Sequence, residues 1–263
     1  MQYMILRRAD RQSEAGRLAP REDSLLFASL QPSTRSVRLR LREGEPATVT
    51  QGPFPDPAEM IAGFAIVDVP GKEAAVDWLR AWPAGEHPVE LEIRESGCPG
   101  GCAQVIPAEV PGMASHKRFA VLLRSSDDLE NETPVPQAML DALDVHNAAQ
   151  ARQGVLLAAD GLRSSARGAR VKVAKNSFSV IDGPFTEIKE MIAGFWLIRV
   201  PSMHDAIEWA KRNPYPVGPD VDVEIRELFD SAATAQFSPD QQAAEQRMRA
   251  EQLEAGMRAH FTA

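Results

Sequence analysis

Hydrophobic and polar residues follow two repeating patterns along the chain. Val37–Arg42 alternates apolar residues with arginines, a period of two that predicts a strand with one apolar face. Val89–Arg94 alternates in the same way, with glutamates and an arginine on its polar side. Lys72–Arg80 instead has its apolar residues at helical spacing, which predicts a helix that ends before Pro83.

The second half of the chain predicts a similar series of elements. The same two patterns indicate strands over Arg118–Leu123, Gly194–Val200 and Val221–Ile225, and helices over Pro136–Arg152 and Met203–Arg212. Ser202 is the predicted N-cap of the second of these helices, because its hydroxyl can accept from a backbone N–H of the first turn. On the first, Met139, Leu140, Leu143 and Ala148 form the predicted apolar side.

One motif occurs in both halves and shows that they are copies. Gly52–Phe64 and Gly183–Phe195 are identical at nine of thirteen positions, 131 residues apart. Each copy reads strand, helix, strand, hairpin, strand, helix, strand, which predicts a ferredoxin-like β-α-β-β-α-β unit with an extra hairpin. The predicted class is α+β, with two antiparallel sheets packed face to face as an internal pseudo-dimeric α+β barrel.

Four segments follow from this reading. Copy one spans 1–97, a linker rich in glycine and proline spans 98–117, copy two spans 118–230, and a tail spans 231–263. Ser238–Gln241 opens a helix in the tail, with serine as the cap and proline at the first helical position.

The copies differ in length between their first two strands. Arg8 aligns with Arg124, an offset of 116, whereas the repeated turns are offset by 131, so copy two has 15 more residues there. Fifteen residues make about four helical turns. Copy one is therefore predicted to lack most or all of its first helix. We expect the tail helix to cover the exposed sheet or to bind a protein partner; a solvated, frayed helix is the alternative.

Charge and composition exclude several classes of protein. A net charge of −8 argues against nucleic-acid binding, which needs a basic face. No apolar run is long enough to span a membrane, and the first residues read as a strand and not as a signal peptide. Two cysteines, Cys98 and Cys102, fit a reducing cytoplasm and predict two thiols; no metal site or cofactor is predicted.

The motif and its surroundings resemble a known family. Val180–Glu190, Ile192–Trp196, Glu208-Trp209 and Val223–Arg226 are similar to the DGPF branch of the YciI-like (YCII-related) proteins, as is the tail from Phe237. The resemblance implies a cytoplasmic dimeric α+β barrel without a settled activity, often encoded beside extracytoplasmic-function sigma factors. Some relatives carry a His–Asp pair proposed as catalytic, and one is a dehalogenating enzyme of aromatic breakdown.

Asp182 and His146 are the candidate catalytic residues. Asp182 precedes the Gly-Pro turn and could act as a general base or fix the turn by accepting from backbone N–H groups. Copy one has Gln51 at this position, so any such chemistry belongs to copy two. His146 could pair with Asp182 as an acid–base couple or face solvent.

Charged residues interrupt apolar strands at the candidate ligand-binding positions. Alternation places Glu224 and Arg226 on one strand face, and Arg124, Arg199 and Trp196 complete the candidate set. Internal salt bridges and an anion-binding pocket are both consistent with this pattern. Because Asp68 replaces Arg199 in copy one, a cross-copy ion pair between them is also predicted. Trp196 lies either in the core or in a pocket.

Two functions remain open at this level. The first is a binding or regulatory module for a small anion, for which the resemblance implies a link to sigma-factor signalling. The second is a small barrel enzyme that uses Asp182 and His146 on an aromatic or carboxylate substrate. Because a pseudo-dimer covers its own sheets, a monomer is expected, with a homodimer through the tail as the alternative.

Overall fold

The computed structural model describes residues 1–9, 13, 23–54, 60–82, 88–98, 105–188 and 191–229. Within these ranges there are twelve strands and four α-helices. In chain order they are β1 (Gln2–Arg8), β2 (Leu26–Ser29), β3 (Ser36–Leu41), β4 (Thr48–Gln51), β5 (Ile61–Asp68), α1 (Lys72–Arg80), β6 (Val89–Glu95), β7 (Lys117–Arg124), α2 (Asp127–Glu130), α3 (Gln137–Arg152), β8 (Leu156–Gly161), β9 (Ala169–Ala174), β10 (Ser177–Asp182), β11 (Ile192–Val200), α4 (Met203–Arg212) and β12 (Val221–Glu227).

The described strands form two antiparallel sheets of six strands each. Sheet one has the order β10-β9-β6-β1-β5-β2, and sheet two has the order β4-β3-β12-β7-β11-β8. The two orders are equivalent when copy one is superimposed on copy two. The prediction of a mixed α+β protein with two antiparallel sheets is therefore confirmed.

Each hairpin belongs to the sheet of the other copy. The β3–β4 hairpin of copy one pairs with β12, so that Val37 lies opposite Ile225. The β9–β10 hairpin of copy two pairs with β6, so that Ala169 lies opposite Ile93. The sequence predicted each hairpin within its own unit; alternation identifies a strand but not its neighbour. The chain is also held where it passes from one sheet to the other, because Leu30 of copy one forms an isolated β-bridge with Leu228 of copy two.

Apolar side chains form one core between the sheets and two cores outside them. The inner core contains the equivalent residues Phe64 and Phe195, whose ring centroids lie 5.2 Å apart. The outer face of sheet two packs under α3 and α4 around Trp209. The outer face of sheet one packs under α1 and Trp82. Both faces of each sheet therefore carry buried apolar residues, while the edge strands β4 and β10 are mostly exposed.

The repeated Gly-Pro turn ends each exchanged hairpin at a tight contact. Both Gly-Pro peptide bonds are cis. A Cβ at Gly52 would lie 1.8 Å from the carbonyl oxygen of Ser33, and one at Gly183 would lie 1.9 Å from that of Ser165. No side chain fits at either distance, so the backbone approach requires glycine in both copies.

Several predicted helices are confirmed. α1 and α4 have the predicted bounds, and the Ser202 hydroxyl accepts from the N–H of Asp205 at 3.3 Å. The predicted loss of the first helix of copy one falls on residues 10–22, of which the structure describes only Ser13. The predicted tail helix also lies outside the described residues. No helix of the described ranges has the length and apolar character needed to cross a membrane.

Candidate functional site

Two clusters of buried charges lie at equivalent places in the two sheets. Cluster two consists of Arg38, Arg124, Glu224 and Arg226; cluster one consists of Arg8, Glu92, Arg94 and Arg170. In each cluster, three residues come from one copy and one arginine comes from the exchanged hairpin of the other. The sequence predictions Arg124, Glu224 and Arg226 therefore meet in one cluster.

Glu224 is the centre of cluster two. Its Oε1 accepts from Arg226 Nη1 at 2.8 Å, and its Oε2 accepts from Arg38 Nε at 3.2 Å and from Arg124 Nη2. Burial alone raises the pKa of Glu224, but the guanidiniums of Arg124, Arg226 and Arg38 overcome that effect and lower the pKa to about 2. The carboxylate therefore stays ionised in the core.

Glu92 holds the same position in cluster one. Its Oε2 accepts from Arg8 Nη1 at 3.1 Å and from Arg170 Nε at 3.0 Å, and its Oε1 accepts from Arg94 Nη1 at 3.3 Å. Arg94 also donates to Glu130, which belongs to the additional segment of copy two. That segment thus contributes a carboxylate to the cluster centred in copy one.

The phenylalanine of the repeated motif supports the exchanged arginine. The guanidinium of Arg38 lies over the Phe54 ring, 4.0 Å from its centroid, and that of Arg170 lies 4.3 Å from the centroid of Phe185. A cation over an aromatic face is attracted by the ring quadrupole. The Gly-Pro-Phe turn therefore positions the arginine that each hairpin brings to the opposite sheet.

The clusters favour internal salt bridges over an anion-binding pocket. Each central glutamate is buried and accepts hydrogen bonds from three arginines, which satisfies the requirement that a buried charge be paired. The arginines direct their described contacts at protein carboxylates and at the carbonyls of Gln31 and Arg163. The arginines and glutamates of the two clusters therefore join copy one to copy two.

Arg199 lies away from both clusters. It is opposite Arg118 on β7, whereas Ile192, at the other end of β11, is opposite Arg124. Seven residues of strand separate the two positions, about 23 Å. The predicted Asp68–Arg199 pair is wrong: Asp68 instead accepts from the N-terminal ammonium of Met1 at 2.9 Å.

Asp182 and His146 are not brought together. Asp182 is exposed on β10, at the edge of sheet one, where its carboxylate accepts from Lys72 Nζ at 2.7 Å. His146 lies on α3, over sheet two, with its ring centroid 5.8 Å from that of Trp209. Burial, assisted by Arg212, lowers the pKa of His146. The two residues are on different sheets and cannot act as one acid–base couple.

A cleft on the outer face of sheet two has the character of a ligand site. Its inner cavity, of about 60 Å³, lies between α3 and strands β8 and β11, and opens into a wider cleft of about 510 Å³. The inner walls are mainly apolar, with Leu140 and Leu143 from α3 and Trp196 from β11. Clefts of this kind, with few polar groups among apolar walls, are the usual form of small-molecule sites.

Two residues that line this inner cavity each have a buried polar atom without a partner. Trp196 is 4% exposed and Asn147 is 6% exposed, and the indole Nε1 of the first and the Oδ1 of the second have no hydrogen-bond partner among the described residues. Buried polar atoms are nearly always paired, so these two are exceptions beside the cavity. Tyr215 packs edge-on against Trp196, with centroids 5.3 Å apart, and fixes the indole.

The equivalent place in copy one has different side chains. In copy two, Trp196 lies beside Ala159 across the β8–β11 pair; in copy one the equivalent pair is Ala65 and Phe27. The large aromatic side chain is therefore on β11 in copy two and on β2 in copy one, where Phe27 is 5% exposed. Helix α3, which carries Asn147, comes from the segment that copy two has in addition. Among the described residues, the helix wall of the cleft therefore belongs to copy two.

Cys98 also lines the cavity, and the prediction of two thiols is wrong. Cys98 is disulfide-bonded, and Cys102, the only other cysteine in the chain, lies outside the described residues. Gly97 N donates to the carbonyl of Gly161 at 2.9 Å, which fixes the end of the first copy against β8 at the cavity wall.

Sequence reasoning missed Asn147 and the four residues of cluster one. The buried residues of α3 are Leu140, Leu143, Asn147 and Ala151, so the spacing i, i+3, i+7 and i+11 marks Asn147 as inward-facing. The predicted apolar side included Ala148, which is exposed. For cluster one, the signal was the match of Glu92 and Arg94 to Glu224 and Arg226 between the copies.

Comparison with known proteins gives a family and a distant structural similarity. The YCII-related domain family matches residues 1–95 and again residues 118–230. The crystal structure of an anthrone oxidase-like protein aligns with 90% of this chain and 95% of that chain, at a TM-score of 0.30 and 10% sequence identity. No curated protein matches the chain.

Proposed function

We propose that this chain, which belongs to the family of YCII-related domain proteins, is a binding module with one small-molecule site, in the cleft of copy two. The observation that carries the proposal is the mainly apolar cavity beside Trp196 and Asn147, with a small number of polar side chains on its walls. Walls of this composition are typical of small-molecule sites.

The proposal includes an architecture and a regulatory role. The equivalent strand orders and the exchanged hairpins support a pseudo-dimeric α+β barrel. In it, copy one acts as structural support while copy two holds the ligand. Coupling of that ligand to a protein partner through the tail, in sigma-factor signalling, is the form of regulation that the sequence resemblance implies.

An acid–base enzyme is not supported by a comparable observation. Asp182 forms an ion pair with Lys72 at the edge of sheet one, and His146 contacts Trp209 on the other sheet. The candidate anion-binding residues Arg124 and Arg226 are engaged with Glu224.

Native mass spectrometry of the purified full chain tests the proposal. We expect a bound small molecule, or binding from a metabolite extract, that is lost in the Ala159→Phe variant, because Ala159 lines the cavity and a phenylalanine ring there takes up its space. Ala142→Phe, on the exposed side of α3, is the matched control and should bind normally. Equal binding by the chain and by Ala159→Phe would contradict the proposed site.

A further inference from the structure

A disulfide lies at one wall of the cleft. Cys98 is disulfide-bonded and lines the inner cavity. Cys102 is the only other cysteine of the chain, so the bond closes a loop in which three residues separate the two cysteines. Loop closure stabilises a fold less as the loop becomes shorter. A bond that closes so short a loop adds little to the stability of the whole chain, and its effect is local.

Cys98 packs directly against the end of β8. The N–H of Gly97 donates to the carbonyl of Gly161 at 2.9 Å, and Ser96 forms an isolated β-bridge with Leu162. A Cβ at Gly161 would lie 2.7 Å from Cys98 Sγ and 3.2 Å from Cys98 Cα. A side chain at position 161 would therefore displace Cys98, so the glycine makes room for the sulfur at the cavity wall.

Copy one has the same backbone contact but not the same side chains. Ser29 lies opposite Gly63 as Gly161 lies opposite Gly194, and the carbonyl of Ser29 accepts from the N–H of Phe229 at 3.0 Å. The chain has no further cysteine for a second disulfide at this equivalent contact. The disulfide is therefore a feature of the cleft wall, and not of the fold that the copies share.

A small reductant can reach this disulfide, because Cys98 is partly exposed. Exposed disulfides are the labile ones, whereas structural disulfides resist reduction. A dithiol attacks one sulfur as a thiolate, forms a mixed disulfide and leaves as its own cyclic disulfide. Two electrons and two protons pass to the protein, so two cysteine thiols replace the S–S bond.

We propose that this disulfide is a redox switch of the cleft. In the disulfide form, Cys98 is held by the covalent bond on one side and by the hydrogen bond of Gly97 on the other, so the wall is fixed. In the dithiol form the hydrogen bond alone remains, and a ligand must order the wall when it binds. That cost lowers the affinity about tenfold. The inference rests on the proposed function and adds its regulation.

Hydrogen exchange of the full chain, followed by NMR with and without dithiothreitol, tests the wall itself. The amides of Gly97 and Arg163 bond across the contact, to the carbonyls of Gly161 and Glu95, and should exchange about tenfold faster in the reduced chain. The amides of Phe229 and Gln31 make the equivalent bonds in the other sheet and are the matched control.

Either of two exchange results would overturn the switch. If the Gly97 and Arg163 amides exchange at the same rate in both forms, the wall does not depend on the bond. If the control amides of Phe229 and Gln31 accelerate equally, the bond acts on the whole fold.

Cys102→Ser removes the disulfide and keeps Cys98 in the wall. This variant should match the reduced chain before any reductant is added, and dithiothreitol should change it no further. Thiol titration after treatment with oxidised glutathione checks the starting state, with no thiol expected in the parent chain and one in the variant. If the variant fails to fold, the reduced parent chain still provides the test.

Fluorescence titration with the uncharged probe N-phenyl-1-naphthylamine measures the effect on the cleft. We expect the Kd to be about tenfold higher for the reduced chain and for Cys102→Ser than for the oxidised chain. Ala159→Phe should not bind the probe in either state. Equal affinity in both states would overturn the switch and keep the proposed function. If neither state binds the probe and native mass spectrometry finds no ligand, both proposals fail.

Discussion

A carboxylate that accepts hydrogen bonds from three guanidiniums stays ionised even when it is fully buried. Glu224 is in that position, and its pKa of about 2 lies below the ordinary value for glutamate. A lowered pKa in the folded state means that stability is present above the unfolded pKa, near 4.5, and is lost as pH falls toward 2. The contribution is on the order of 3 kcal/mol.

Replacing Glu224 by glutamine should cost about 3 kcal/mol of unfolding free energy at pH 7, because Arg124 and Arg226 lose their charged partner in the core. Urea denaturation at pH 7 and between pH 5 and 2 measures the change. The variant should also lose less stability than the parent chain over the acidic range. Glu45→Gln, exposed in the β3–β4 turn, is the control. A variant as stable as that control would contradict the internal role of Glu224.

The Gly-Pro turn gives a second prediction at single-residue scale. Gly183→Ala places a methyl group 1.9 Å from the Ser165 carbonyl oxygen, so the backbone must shift, at a cost of about 3 kcal/mol. Gly218→Ala is the matched control, since a Cβ there meets no atom within 4 Å, and it should change stability by less than about 0.5 kcal/mol. Equal thermal midpoints for the two variants would show that the turn can relax.

The exchanged hairpins bind the two copies together through a small number of side chains. Arg170 of β9 contacts Glu92 and lies over Phe185, and its side chain is 18% exposed. Lys172, two residues along the same strand, contacts Glu90 at 3.4 Å and is 58% exposed. Arg170→Ala should therefore cost about 3 kcal/mol, and Lys172→Ala less than about 0.5 kcal/mol. Denaturant titration of the pair of variants checks this difference, and similar losses would contradict it.

Sequence periodicity predicts elements better than it predicts their neighbours. The bounds of α1 and α4 followed from local spacing and from proline and serine, which act within one helical turn. The partner of β3 depends on where the chain goes after Leu30, a long-range property that alternation does not contain. Arg124, Glu224 and Arg226 were identified by their charge, but Arg38 was not, because its role comes from the exchange.

The candidate site was harder to predict than the fold. Trp196 was identified as a core or pocket residue, but Asn147 was not identified. Its importance depends on an unpartnered Oδ1, and hydrogen-bond satisfaction is visible only once the three-dimensional neighbours are known. The difference between the copies likewise depends on cross-strand pairs, since Phe27 lies opposite Ala65 in copy one and Ala159 lies opposite Trp196 in copy two.

At the scale of the whole molecule, the two copies should behave as one folding unit. Each sheet contains strands from both copies, so a break in the connecting segment leaves every sheet intact. A protease site inserted near Ile106, which is 57% exposed, allows the chain to be cut there. We expect both fragments to elute together in size-exclusion chromatography at the position of the uncut chain, and to separate in denaturant. Fragments that separate without denaturant would contradict the exchange.

The exchange of hairpins also limits how the two repeats can change over time. An arginine encoded in one repeat completes a cluster encoded in the other, as Arg38 does for Glu224 and Arg170 for Glu92. A substitution in one half of the gene must therefore be compensated in the other half. Recombination that deleted one repeat would remove two strands from the surviving sheet together with one arginine. We therefore expect the two repeats to be kept together as a pair.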